Sequence, residues 1–177
     1  VYDIIPGVVL SFNDFHMEHY KSTYIPHRRM IAIDHCREGR MEYAAGNGII
    51  AYTTTGNVKL DLRKQHTGTF SFPACHYHGL TVAFDLDRAG QSLAEEVKDF
   101  PATPEAIVSR FSLGDYPLVL HDVADVEHIF RDFYRVPEKI RIPYFKVKIL
   151  ELLLCLDAMT VPQNTDERPY FYRTQAE

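Results

Sequence analysis

The sequence predicts an α+β chain: a strand-built first half that closes as a sandwich or barrel, then a helical half that ends in an antiparallel helix pair. Three observations carry this. Short apolar runs broken by turn residues fill the stretch up to residue 86. From residue 87 onward the apolar period lengthens from two residues to 3.6. At 177 residues the chain can also bury a core without help from metal or disulfides.

Residues 30–36 and 40–43 flank Gly39, whose access to positive φ suits a tight hairpin, so these runs are expected to pair antiparallel. Strands are expected next over residues 48–54 and 57–62. In the latter, Val58, Leu60 and Leu62 alternate with Lys59, Asp61 and Arg63. The clearest strand spans 76–86, with Leu80, Val82, Phe84 and Leu86 on one face and Thr81, Ala83 and Asp85 on the other. Turns fall at Gly46-Asn47-Gly48, Gly56-Asn57 and Thr67-Gly68.

In the helical half, Asp87 can cap a helix reaching about residue 99. Thr103-Pro104-Glu105 supplies an N-cap, a proline at the first helical position and an acid in the first turn. Asp122 can cap a third helix, in which Val126, Ile129, Phe130, Phe133 and Tyr134 make one apolar stripe before Val136-Pro137 ends it. The last helix starts at Pro143, or at Glu138 with a kink, and runs to about Met159. Phe145, Ile149, Leu152, Leu153 and Leu156 form one stripe of it, and Leu150, Leu154 and Cys155 widen the apolar surface. So broad a surface has to be buried on two sides. Phe145, Ile149, Leu150, Leu152, Leu153 and Leu156 are therefore the expected dimer interface, an intramolecular core being the alternative. Residues 160–177 read as a loop. The organisation expected is a barrel over 1–86, a helical dimerisation region over 87–159 and a linker over 160–177.

Composition narrows the function. A net charge of −5 and scattered basic residues leave no surface built for phosphates, so DNA binding by this segment itself is not expected. Eleven Phe and eleven Tyr suit sheet faces and pocket walls. Three cysteines, odd in number and far apart, argue for a reducing cytoplasm rather than a disulfide framework. No apolar run is long enough to span a membrane, and the start carries neither a secretion signal nor an initiator Met, which fits a processed or trimmed chain.

Several pieces in order resemble the N-terminal regulatory domain of AraC-family transcription regulators. Asp34-His35-Cys36-Arg37-Glu38-Gly39-Arg40-Met41-Glu42 is similar to that family's Glu-Gly-Arg-x-Glu hairpin. Phe70-Ser71-Phe72-Pro73 with Tyr77-His78-Gly79-Leu80 resembles a later strand segment. The run from Val136-Pro137-Glu138-Lys139-Ile140-Arg141 through Lys148-Ile149-Leu150-Glu151-Leu152-Leu153 resembles the stretch before the DNA-binding region. The resemblance implies a cupin-like, jelly-roll type β-barrel that binds a small effector, a helical hairpin that forms a homodimer, and DNA contact only through a C-terminal pair of helix-turn-helix motifs outside this chain.

Candidate effector contacts are His35, Arg40, Glu42, Tyr52, His76 and His78. His76 and His78 share one strand face, as half a metal site would require. The Glu that cupin enzymes place shortly after such a pair is missing, however, and Cys75 points to the other face. Metal binding, ligand hydrogen bonding and a structural pair all stay open. His35 lies with Ile31 and Ile33 as a core histidine or a polar point on a pocket floor. Arg40 and Glu42 share a face, as an ion pair or as a carboxylate clamp. Tyr52, like Tyr77, offers a phenol. No nucleophile elbow and no phosphate loop is present. A non-enzymatic sensor without a cofactor is expected; a metal-dependent cupin enzyme on His76 and His78, or a solidly packed dimerisation module, are the alternatives.

Overall fold

Three strands that the turn-and-run pattern does not bring out come first: β1 (Tyr2–Ile5), β2 (Val8–Phe15) and β3 (His19–Tyr24). Their signal is present in β2, where Val8 and Leu10 are buried and Phe12 packs beside them. The computed structural model describes residues 1–46, 49–64, 66–121, 123–161 and 171–173. It continues with β4 (Met30–Gly46), β5 (Ile49–Thr54), β6 (Val58–Leu62), β7 (His66–Ser71) and β8 (Tyr77–Asp85). Then follow α1 (Ala89–Glu96), α2 (Pro104–Arg110), β9 (Leu118–Leu120), α3 (Ala124–Phe133), a 3-10 turn (Glu138–Ile140), α4 (Arg141–Ala158) and β10 (Phe171–Arg173).

The expected hairpin at Gly39 is not there. Residues 30–46 are one long strand, and Gly39 is where it passes from one sheet to the other. The first half of β4 pairs antiparallel with β8 and β6; the second half pairs with β5 and β7. A register shift between Cys36 and Glu38 marks the crossing. Gly39 has φ +92°, and a Cβ there would lie 2.5 Å from the carbonyl oxygen of His76. The glycine thus serves close backbone approach and a bend, not chain reversal.

Two facing sheets result, β1-β2-β8-β4-β6-β9 and β3-β7-β4-β5-β10, both antiparallel throughout. This is a mixed α+β fold with a cupin-like barrel, as expected. The helices cover the outer face of the first sheet. There Val8, Leu10, Ile31, Ile33, Leu80, Val82 and Phe84 join Val126, Ile129, Phe130, Phe133, Phe145 and Ile149 in one buried cluster. The apolar stripe of β8 therefore points away from the barrel interior, towards the helices.

Other local expectations fare unevenly. Thr103 Oγ1 accepts a hydrogen bond from the Ala106 amide and caps α2 as expected. Asp87 does not cap α1: the N-cap position belongs to Arg88, and the Asp87 amide donates to Asp85 Oδ1. Thr67-Gly68 lies inside β7, not in a turn. Residues 171–173, expected in a loop, pair with β5. Asn47, Gly48 and Asp122 lie outside the described residues. No helix among the described residues is long and apolar enough to cross a membrane.

Candidate functional site

Between the two sheets the lining is polar and aromatic; in the first sheet it largely alternates with the apolar side chains turned to the helices. Asp34, between Ile33 and His35, points inward and is 4% exposed. Lys59, between Val58 and Leu60, is 1% exposed and places Nζ 3.1 Å from Asp34 Oδ2. Arg63 Nη2 donates to both carboxylate oxygens at 2.8 Å. Thr81 Oγ1 donates to Asp34 Oδ1, and Asn13 Nδ2 donates to Thr81 Oγ1 at 2.9 Å. Asp61 balances the second cation only across 3.8 Å to Arg63 Nη1.

Burial by itself would raise the Asp34 carboxyl. The charges of Arg63 and Lys59, with hydrogen bonds from Thr81 and Lys59, outweigh it and hold the group at about 2. The cluster is thus a fixed ionic post inside the barrel.

Empty space lies on both sides of that post. One cavity of about 340 Å³ is lined by Phe15, Met30, Met41, Phe72, Tyr77 and Ala83 among others, with Asp34 and Arg63 in its wall. A second, of about 700 Å³, is lined by Tyr43, Lys59 and Asp61 and reaches exposed Thr67, Thr69 and Asp115. Arg63 and Phe70 border both. The Tyr43 hydroxyl is buried and has no hydrogen-bond partner among the described residues. Burial, with Asp61 and Asp34 adding to it, pushes that phenol well up. It stays protonated and available to a guest. Volumes of this size suit small-molecule ligands.

This fold occurs in ToxT. Apo ToxT from Vibrio cholerae, in a single-substitution variant, matches with a TM-score of 0.53 at 9% identity, over 89% of this chain and 60% of that one. A second ToxT structure from the same organism gives a TM-score of 0.44 at 10% identity, over 92% of this chain and 59% of that one. Unsaturated-fatty-acid-bound wild-type ToxT gives 0.45 at 9% identity, over 89% of this chain and 57% of that one. The chain thus spans about 60% of the length of ToxT. By sequence, no protein-family model and no curated protein matches it. The likeness to ToxT is therefore one of fold.

The six candidate effector contacts do not converge on the cavities. His35 lies on the helix side of β4 and stacks on Phe130 of α3, with ring centroids 4.4 Å apart and planes within 5°. Burial, then the nearby Arg37, lowers its pKa to about 4. Arg40, Glu42 and Tyr52 do meet, on the face of the second sheet opposite Met41 and Tyr43. Arg40 Nη2 is 2.6 Å from Glu42 Oε1, and its guanidinium lies 4.1 Å from the Tyr52 ring centroid. His76 leans on Glu38 at 3.5 Å, and His78 lies 3.4 Å from Asp14, both outside the barrel because Tyr77 between them faces in. A metal centre inside the barrel therefore gains no support from His76 and His78. Of the candidate interface residues, Phe145, Ile149, Leu152, Leu153 and Leu156 are buried in the chain's own core, and only Leu150 is partly exposed.

Asp34, Lys59, Arg63, Thr81 and Tyr43 are the residues that sequence reasoning missed. Their signal was the alternation of charges with apolar residues in β6, read as a strand pattern without knowing which face was inside.

Proposed function

We propose that this chain is the effector-binding regulatory domain of an AraC-type transcription regulator, a cytoplasmic, non-enzymatic sensor. One observation carries the reading: a barrel of the fold found in ToxT holds empty space, open in part to solvent, around a buried Asp34–Lys59–Arg63 cluster. The guest that fits has an apolar or aromatic body for Met41, Phe70 and Phe72, and a polar head for Arg63 and the Tyr43 hydroxyl.

Switching follows from strand geometry. Asp34 touches the cavity and its neighbour His35 stacks on α3, so a guest that moves β4 moves the helices. Such a guest acts only if it binds the two arrangements with different affinity. Dimerisation belongs to the same proposal, on the outer side of α4. Exposed Val147 and Leu154 with partly exposed Leu150 form a narrow apolar seam there, spaced as in paired helices, with exposed Ile140 in the turn before it. DNA contact falls to a further domain of the whole protein.

The test is a thermal-shift screen against a broad metabolite library. A stabilising compound is expected for the unsubstituted protein and not for Ala83→Phe, which fills the smaller cavity. A library with no stabiliser, or one that stabilises both proteins alike, overturns the reading.

A further inference from the structure

Outside the barrel, three side chains from different segments converge on one point. Asp14 comes from the end of β2, His16 from the turn that follows, and His78 from the start of β8. His16 Nε2 is 2.9 Å and His78 Nε2 3.4 Å from the same oxygen, Asp14 Oδ1. All three ligand atoms lie within 4.8 Å of one another. Atoms bound to one tetrahedral ion at about 2.0–2.1 Å stand roughly 3.3 Å apart. The observed spacing needs little more than a ring rotation to meet that figure.

We propose that Asp14, His16 and His78 form a site for one divalent late first-row metal ion, of which zinc is the type. Two imidazoles and a carboxylate are a donor set such ions take. The two rings stand at 88° with centroids 5.2 Å apart, so their Nε2 atoms approach the centre from different directions, as a three-dimensional site demands. The side chains are 68%, 63% and 34% exposed for His16, Asp14 and His78, which lets an ion enter and keep water in the remaining position. His76, its ring centroid 5.9 Å from that of His78, stands beside the site on Glu38 and is not one of the three. This site differs from a barrel-interior centre: it backs onto the cavity wall at Phe15, the residue between two of its ligands.

Calorimetric titration of Zn²⁺ into chelator-treated protein tests it, with Co²⁺ absorption as a readout of coordination. One ion per chain is expected, with visible Co²⁺ bands. His16→Ala and His78→Gln should each weaken Zn²⁺ binding by at least roughly tenfold, a loss that even an outer-sphere partner can cause. His27→Ala, remote from the cluster, should leave affinity unchanged. Circular dichroism confirms that the variants fold. No saturable binding, or equal affinity in His16→Ala, His78→Gln and the unsubstituted protein, would show a hydrogen-bonded cluster only and overturn the proposal.

Discussion

Asp34 holds two cations inside the barrel, and its loss should be felt throughout it. Asp34→Asn leaves buried Lys59 without a counter-charge and Arg63 with only Asp61 at 3.8 Å, which is expected to cost about 3–5 kcal/mol in urea denaturation. Its titration gives a pH signature. The folded carboxyl is held at about 2, below the usual 3.8, so its contribution is complete above pH 4 and lost as pH falls towards 2. His35 acts in a higher window. Its folded pKa of about 4 lies below the unfolded 6.5, so below pH 6.5 only the unfolded chain takes up the proton. Stability should therefore decline from pH 6.5 to 4, and again from 4 to 2. His35→Phe, which keeps the stack on Phe130 and removes a buried Nδ1 that lacks a partner among the described residues, should shrink the first decline to the share of His121, whose pKa burial also lowers, and leave the second. An unchanged upper limb in that variant would refute the assignment.

At the scale of elements, β4 decides the architecture, and its crossing depends on Gly39. Gly56 offers the matched control: its φ is +83° and a Cβ there meets nothing within 4 Å. Gly56→Ala should cost about 1–2 kcal/mol, the strain of a left-handed alanine. Gly39→Ala should cost clearly more, because its Cβ also strikes the His76 carbonyl; equal losses in thermal melts would contradict this role. The sequence made Gly39 conspicuous but not its purpose, because a positive-φ glycine between two apolar runs looks the same in a hairpin and in a bent strand. The capped helix at Thr103 and the apolar stripe of α3 were legible because caps and helical periods are local. The first three strands carry a weaker signal, although β2 alternates, because turn residues do not set them apart as regular runs.

Taken whole, the molecule inverts a natural reading of its strands. The most regular apolar stripe, Leu80-Val82-Phe84, meets helices, while Lys59, Asp61 and Arg63 line the space between sheets. Alternation states that a strand has two faces; which one is interior depends on packing far along the chain. The same holds for α4. Its width was legible, but five of its six apolar candidates are spent on the chain's own core, which leaves Val147, Leu150 and Leu154 as the seam proposed for a second copy. Val147→Glu with Leu154→Glu should convert a dimer into a monomer in sedimentation while circular dichroism shows the fold kept, and should remove any concentration dependence of the melting temperature; a protein that sediments identically with and without these changes would rule out this seam.

The four methionines can report on the small molecule proposed between the sheets. Met30 and Met41 line the cavity, Met17 is exposed in the β2–β3 turn, and Met159 follows α4. Methyl NMR with a stabilising compound should give ligand-to-methyl Overhauser contacts at Met30 and Met41 alone. Contacts confined to Met17 or Met159 would place the ligand elsewhere and contradict the account.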